Sequence, residues 1–320
     1  MRRIRLSYGS AVELGLTKGN LEARPTTAYL FLKDRGCRGN CGFCPQSLGR
    51  VEERISRVSW PEFLVSKVKK GIAKNKALQR ICIQCTNEPY IKNIAPKLVR
   101  DLRKRNGLPI SVSTSPITLE QAEELKEAGA DILTIPLDCA EKRLFPLIKG
   151  RSWSEYWRAL MNALKIFGSG KVGTHLIVGL GETERSVITL TDKLWRMGVV
   201  PSLFAFTPIR GTRFEFWCVP PLSSYRRIQL ARKLIIESKV TVKDIKFSED
   251  GRIREFCLPM SRLEEALEDG NTFMTQGCPG CNRPYFNERV SGPIFNYAYE
   301  PRPEDLVGIR GEIFGTAKSH

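Results

Sequence analysis

Between about residues 26 and 207, six short apolar runs alternate with amphipathic stretches of helical period; the runs are TTAYLFL, ALQRICIQC, LPISVS, DILTIPL, GTHLIVGL and SLFAFTP. Such alternation commits a chain to right-handed βαβ units and a parallel sheet, because only a crossover helix brings the next strand back in the same direction. Six units fall short of the eight that close a barrel. The expected fold class is α/β, an open partial (βα)6 TIM-type barrel of parallel strands over residues 26–214. An N-terminal extension, 1–25, precedes it and an irregular C-terminal extension, 215–320, follows. In the latter the pattern predicts a helix over Ser223 to Ser238 and a hairpin in DIKFSEDGRIREF.

Local signals support the helices. Ser59 with Glu62, Thr118 with Gln121, and Ser152 with Glu155 have the spacing of capping boxes, in which a hydroxyl and an acid or amide satisfy free backbone N–H groups. Gly129 and Gly168 stand where two helices would stop. Trp157, Leu160, Leu164 and Phe167 form one apolar stripe that predicts packing against the sheet.

At 42% hydrophobic and 27% charged residues the chain is globular, not disordered. No run approaches eighteen apolar residues, and Glu13 interrupts any signal-peptide core, so the expectation is a cytoplasmic protein without a membrane partner. The net charge of +17 favours an acidic partner, be it nucleic acid, an anionic surface or a carrier protein. The basic stretches Lys67 to Arg80 and Lys97 to Arg105 read as solvated helix faces. Histidine is nearly absent, only His175 and His320, whereas there are 10 cysteines. Any metal would therefore be held mainly by thiolate, which favours zinc or iron–sulfur.

The cysteines are grouped. CRGNCGFC places Cys37, Cys41 and Cys44 just after the first strand, on the functional face of a βα barrel. Three thiolates in this C-x3-C-x2-C spacing can hold three corners of a [4Fe–4S] cube and leave the fourth iron open; a structural zinc would want a fourth ligand nearby. Cys278 and Cys281, in GCPGCNRPYFNE, suit two thiolates on one metal, and Cys82 and Cys85 form a second pair on the barrel side. Together these four could hold an auxiliary [4Fe–4S] cluster. Residues three apart on a strict strand face opposite ways, so Cys85 can join only if the strand ends or bulges after Cys82. Cys139, Cys218 and Cys257 are reserve ligands that otherwise read as core-packing thiols.

Cys37, Cys41 and Cys44, with Phe43 before the last, match the cluster motif of the radical S-adenosylmethionine (SAM) superfamily, which the chain resembles over roughly residues 26–212. The family's GGEP motif appears as TNEP, and the resemblance implies that Asn87 and Glu88 sit near the SAM ammonium. IVGLGE matches the adenine-supporting segment, placing Ile177 and Gly179 at the ring. The resemblance implies that the open iron chelates SAM and that one electron from a low-potential donor yields a 5′-deoxyadenosyl radical. Within the superfamily, GADILTIPLDCAEKRLFPLIKGRSWSEYWRAL is similar to biotin synthase; by that likeness Asp138 holds the SAM ribose and Arg151 its carboxylate. A structural ion pair would explain either residue as well.

Biotin synthase holds a second cluster with three barrel cysteines and an arginine. Cys82 matches the first cysteine, but Ser111 and Gly173 replace the other two, and Thr134 and Pro136 replace its paired asparagines, so that site cannot be built. A biotin-synthase-like barrel with a C-terminal CPGCNRPY instead resembles a component of the two-protein lipoyl synthases. That implies two [4Fe–4S] clusters and SAM, an octanoylated lipoyl-carrier protein as substrate, and a second radical SAM component as partner. Residues 1–36 lack the extra cysteine cluster of one-protein lipoyl synthase. Phe204, Phe206, Phe214, Phe216 and Trp217 are candidates for an acyl channel, or ordinary core. Alternatives are a sulfur inserter acting on a small molecule, a radical SAM enzyme acting on RNA, an RNA-binding protein and a zinc module; no recognisable RNA-binding motif supports nucleic acid. Anaerobic iron and labile-sulfide analysis checks the class: iron–sulfur chemistry predicts acid-labile sulfide, which zinc or plain RNA binding does not.

Overall fold

A computed structural model describes residues 2–50 and 52–314. The strands are β1 (Arg3–Leu6), β2 (Thr27–Leu32), β3 (Arg54–Ile55), β4 (Val58–Ser59), β5 (Glu62–Leu64), β6 (Arg80–Cys85), β7 (Ile110–Ser113), β8 (Ile132–Thr134), β9 (Val172–Val178), β10 (Val199–Ala205), β11 (Ile245–Phe247) and β12 (Ile253–Phe256). The helices are α1 (Tyr8–Glu13), α2 (Val65–Lys74), α3 (Pro89–Arg103), α4 (Leu119–Glu127), α5 (Phe145–Lys149), α6 (Trp153–Phe167), α7 (Glu184–Arg196), α8 (Leu222–Ile236), α9 (Met260–Glu268) and α10 (Pro303–Phe314).

The six apolar runs are six parallel strands, in the order β10-β9-β8-β7-β6-β2. The α/β partial barrel is thus the observed architecture. β2 is buried along its whole length, as befits a strand covered on both faces. Beyond it the sheet continues into β1 and β5, both paired antiparallel, so N-terminal residues belong to the sheet itself.

Local signals succeed where no distant partner competes. Thr118 and Gln121 form the expected capping box, and the backbone turns left-handed at Gly129 (φ 104°) and Gly168 (φ 85°). The Ser59–Glu62 box does not form. Ser59 lies in β4 and Glu62 in β5, where its carboxylate accepts from Arg3 Nε at 2.8 Å; pairing across the sheet overrides the local cap. Ser152 does precede α6, but its hydroxyl bonds Ser154 (2.6 Å) rather than the backbone. The expected helix and hairpin of the C-terminal extension are α8 and β11–β12. Cys139 is buried as expected of a core thiol, whereas Cys218 and Cys257 are exposed.

The tail lies across the open side of the barrel. Arg283 stands 3.7 Å from the Phe204 ring centroid on β10, and its backbone N–H donates to Tyr29 Oη on β2 (2.8 Å). Thr207, just past β10, donates to the Asn287 carbonyl (3.0 Å). Phe286 packs on Tyr29 (5.1 Å between centroids) and edge-on to the wholly buried Trp60 (6.0 Å). Behind it Arg226 of α8, 1% exposed, donates to the carbonyls of Ile294 (2.5 Å) and Phe295 (2.7 Å), to Gln229 (2.8 Å) and to Glu312 of α10 (2.9 Å). Arg226→Met takes its donors from Ile294, Gln229 and Glu312 and leaves the Phe295 carbonyl only Gln229 Nε2, at 3.0 Å. Urea denaturation should show a loss of roughly 3–5 kcal/mol, the usual cost of breaking a buried charged network by removing one partner.

Candidate functional site

The loop after β2 carries Cys37, Cys41 and Cys44 above the C-terminal strand ends, and its shape is held by Glu88. That carboxylate accepts from the backbone N–H groups of Asp34 (3.2 Å), Arg35 (2.9 Å) and Gly36 (3.2 Å) and from the Thr86 hydroxyl (2.5 Å). Burial alone would raise the Glu88 pKa, but these donors hold it below the ordinary glutamate value. Glu88 is therefore committed to the cysteine loop, and Thr86 and Asn87 line the cavity in its place. The N–H groups of Asn87 and Gly39 both donate to Cys37 Sγ, each at 3.3 Å. Asn87 Oδ1 accepts from Ser115 (3.0 Å).

A cavity of about 240 Å³ opens under this loop, lined by the three cysteines, Phe43, Asp138 and Ile177 among others. Gly179 and Arg151 are outside its lining. Gly179 (φ 106°) donates to Glu182 (2.7 Å), and a Cβ there would meet Pro220 at 2.9 Å. Arg151 donates to the Arg38 carbonyl in the cysteine loop (3.2 Å). Asp138, itself at φ 63°, pairs with Lys149 at 2.5 Å. Burial opposes the charge of Lys149, but Asp138 and then Cys41 hold its pKa well above the ordinary lysine value. Lys149 lies 4.7 Å from the Tyr156 ring centroid and 5.9 Å from that of Phe43. No spacing in the sequence marks this lysine. It reaches the site because α5 ends at left-handed Gly150, where a Cβ would strike Asn40 at 2.7 Å.

The second cysteine set forms at the other end of the barrel. Cys82, Cys278 and Cys281 line a smaller cavity of about 70 Å³ with Ser111, Tyr29 and Arg283. Ser111 Oγ donates to Cys278 Sγ at 3.3 Å, and Tyr29 Oη stands 3.3 Å from Cys281 Sγ. Burial pushes the Cys82 thiol well up, and Cys278 and Cys281 push it further. Cys85 is a correction. β6 runs in unbroken register through Leu32↔Cys85, so Cys85 faces away from Cys82; its thiol rises to about 12 through burial alone, with no thiol neighbour contributing. Three of the four cysteines, Cys82, Cys278 and Cys281, line the second cavity, whereas Cys85 lines the first.

Two cations attend it that sequence reasoning placed elsewhere or missed. Arg80, expected on a solvated face, is 5% exposed and donates to the Pro279 carbonyl (3.0 Å) and Ser111 Oγ (2.8 Å). Arg283 leaves its buried Nε without a partner. Its only sequence signal is its place two residues after the CPGC motif. Gly173, at another of the compared positions, has no room for a side chain: a Cβ would lie 2.9 Å from Thr134 Oγ1.

Gln84, Ser113, His175 and Phe204 line both cavities, so the two cysteine sets face one continuous interior. Burial, then Arg283 and Lys149, pull the His175 pKa down to about 3, leaving a neutral imidazole mid-channel. Of the five aromatics weighed for an acyl channel, Phe204 and Phe206 line the first cavity; Phe214 stacks on Trp217 (3.9 Å) beneath Gly42, and Phe216 is 89% exposed.

Among the described residues, no three His, Cys, Asp or Glu side chains converge closely enough for a single metal ion. Iron–sulfur cubes take one thiolate per iron at separate corners, so two triads of spaced thiols bordering a cavity fit clusters better than a mononuclear site. Nor is any helix among these residues long and apolar enough to cross a membrane.

A family model described as the Radical SAM superfamily matches residues 34–194, half of the chain. The biotin synthase of Coxiella burnetii (strain RSA 493 / Nine Mile phase I) is 24% identical over 258 residues, 79% of each chain. Methylornithine synthase superposes with a TM-score of 0.53 at 16% identity, over 72% of this chain and 68% of that one. The FeFe-hydrogenase maturase HydG from Carboxydothermus hydrogenoformans does so with a TM-score of 0.52 at 18% identity, over 88% and 65%. At such identities the two structures speak for the fold alone. The division between Cys82 and Cys85 is directly measurable: Cys82→Ala should remove about four irons from the reconstituted protein, and Cys85→Ala none, by iron and sulfide analysis.

Proposed function

The chain belongs to the radical SAM superfamily and is related to biotin synthase, and from that premise we propose that it is a sulfur-inserting enzyme, one of two components of a lipoyl synthase. It adds sulfur to an octanoyl or mercaptooctanoyl chain attached to a carrier-protein lysine, alongside a second radical SAM component and a low-potential electron donor. The observation that carries this reading is the placement of two cysteine triads at opposite ends of one interior, with His175, Gln84, Ser113 and Phe204 common to both cavities.

Bound SAM and its cluster supply a carbon radical able to take hydrogen from an unactivated C–H bond, which no nucleophile or base in a protein can break. The chain's own residues do the rest. Cys37, Cys41 and Cys44 would hold the first cluster, with Glu88 fixing their loop and Lys149 offsetting buried negative charge. Asn87, Asp138 and Ile177 line the space SAM would occupy. Cys82, Cys278 and Cys281 would hold the second cluster, the sulfur source, with Arg80 and Arg283 as counter-charges. Phe31, Phe204 and Phe206 give the passage apolar walls suited to an acyl chain and keep water out.

The competing reading is sulfur insertion into a small molecule. It draws on the polar side chains Gln84, Ser113 and His175 at mid-channel, which could bind a more polar substrate. Anaerobic turnover on octanoyl-lysyl and 8-mercaptooctanoyl-lysyl peptides, read by mass, separates the two. Cys278→Ala/Cys281→Ala protein should still release 5′-deoxyadenosine from SAM yet transfer no sulfur. If that variant stays folded and inserts sulfur normally, the second triad is not the donor site.

A further inference from the structure

The open side of the barrel is edged by arginines without acidic partners. There the β3–β4 hairpin, the chain after β10 and the tail converge: Asn287 Nδ2 lies 3.5 Å from Ser56 Oγ and 3.4 Å from Thr207 Oγ1. Ser56, Thr207, Ile209 and Asn287 all line the first cavity, so their junction is its outer wall. Arg57, Arg210 and Arg289 follow directly on these segments, and all three are exposed. Among the described residues none of them pairs with a carboxylate, whereas nearby Arg54 is engaged by Glu52 at 3.2 Å. Burial and then the charge of Arg289 hold Arg57 below the ordinary arginine value, with Glu288 opposing them only in part. The acid beside them, Glu288, is buried and already accepts from Asn296 (3.0 Å) and Asn287 (3.1 Å). Val290, 60% exposed, adds an apolar spot.

We propose that Arg57, Arg210 and Arg289 form the docking rim for an acidic protein domain that carries the acyl-lysine, whose arm then enters the first cavity beside the wall made by Ser56, Thr207 and Asn287. This rests on the acyl-carrier reading above and adds where the carrier binds. Crowding like charges costs free energy in the free protein and is recovered when an anionic surface arrives. The net charge of +17 supplies the long-range attraction for such a domain. RNA fits less well, because residues 54–59, 207–211 and 287–290, which carry the three arginines, contain no aromatic side chain on which a base could stack. The basic face of α2, with Lys67, Lys70 and Lys74 exposed, borders neither cysteine cavity and serves as the control.

The test compares the reconstituted iron–sulfur protein, its Arg57→Gln/Arg210→Gln/Arg289→Gln variant and a Lys67→Gln/Lys70→Gln/Lys74→Gln variant. Calorimetric titration with an octanoylated, net-acidic lipoyl-bearing domain should show about tenfold or greater weakening for the arginine variant and about twofold or less for the lysine variant. Raising salt should erase most of that difference. Turnover on a short uncharged octanoyl-lysyl peptide should stay within about twofold for all three proteins, as expected of residues that touch the domain and not the arm. Unchanged binding by the arginine variant, an equal loss in the lysine variant, or no binding by the unaltered protein overturns the proposal. So does a single-stranded RNA that displaces the domain through the same arginines. If the unaltered protein binds the domain but turns over neither substrate, the docking rim stands and the sulfur-insertion reading fails.

Discussion

Everything functional in this molecule depends on how the tail fills the gap left by an unclosed barrel. Six parallel strands leave β2 and β10 apart, and the chain around Arg283 bridges them through Tyr29 on one side and Phe204 on the other. Without that bridge Cys278 and Cys281 would hang outside the sheet. With it they face Cys82 across the barrel interior. Arg226 secures the bridge from behind by donating to the tail carbonyls of Ile294 and Phe295, the latter shared with Gln229.

Burying two sets of thiols creates an electrostatic problem that the fold answers with nearby cations, Lys149 and Arg80 buried and Arg283 half-buried. Burial raises the Cys41, Cys82 and Cys278 thiols above the ordinary cysteine value. Lys149 lowers Cys41 in turn, while Arg283 and Arg80 act on Cys82 and Cys278. Each cation is fixed by its own partner: Lys149 by Asp138, Arg80 by the Pro279 carbonyl and Ser111. Between the two ends His175 stays neutral, so the passage itself carries no charge at its centre. That division, charge at both ends and none in the middle, suits a site where reactive groups must be kept apart from water and from each other.

Much of this was legible in the chain. The six strands fall where the apolar runs predict them, and Thr118–Gln121 caps α4 as its spacing requires. Failures came where a distant partner intervened. Glu62 pairs with Arg3 across the sheet instead of capping a helix, and Arg80 turns inward because Ser111 and Pro279 need its donors. Glu88, which the motif assigns to the cofactor, also accepts from the backbone of the cysteine loop, a role its spacing did not reveal. Lys149 carried no signal at all, since nothing in its neighbourhood reveals that α5 delivers it to Asp138.

The sequence by itself determined the alternation of strand and helix, the three-cysteine loop after the first barrel strand, and hence the class of chemistry. Those properties are encoded over a few residues, by periodicities of two and 3.6 and by ligand spacing. The tertiary structure alone decided that Cys82 and not Cys85 joins Cys278 and Cys281, and which cations stand beside them. Strand pairing fixes which way each side chain points, and the closing of the gap by the tail fixes what it meets. Neither is a local property: Cys85 pairs with Leu32 on another strand of the sheet, and Arg80 meets Pro279, 199 positions away.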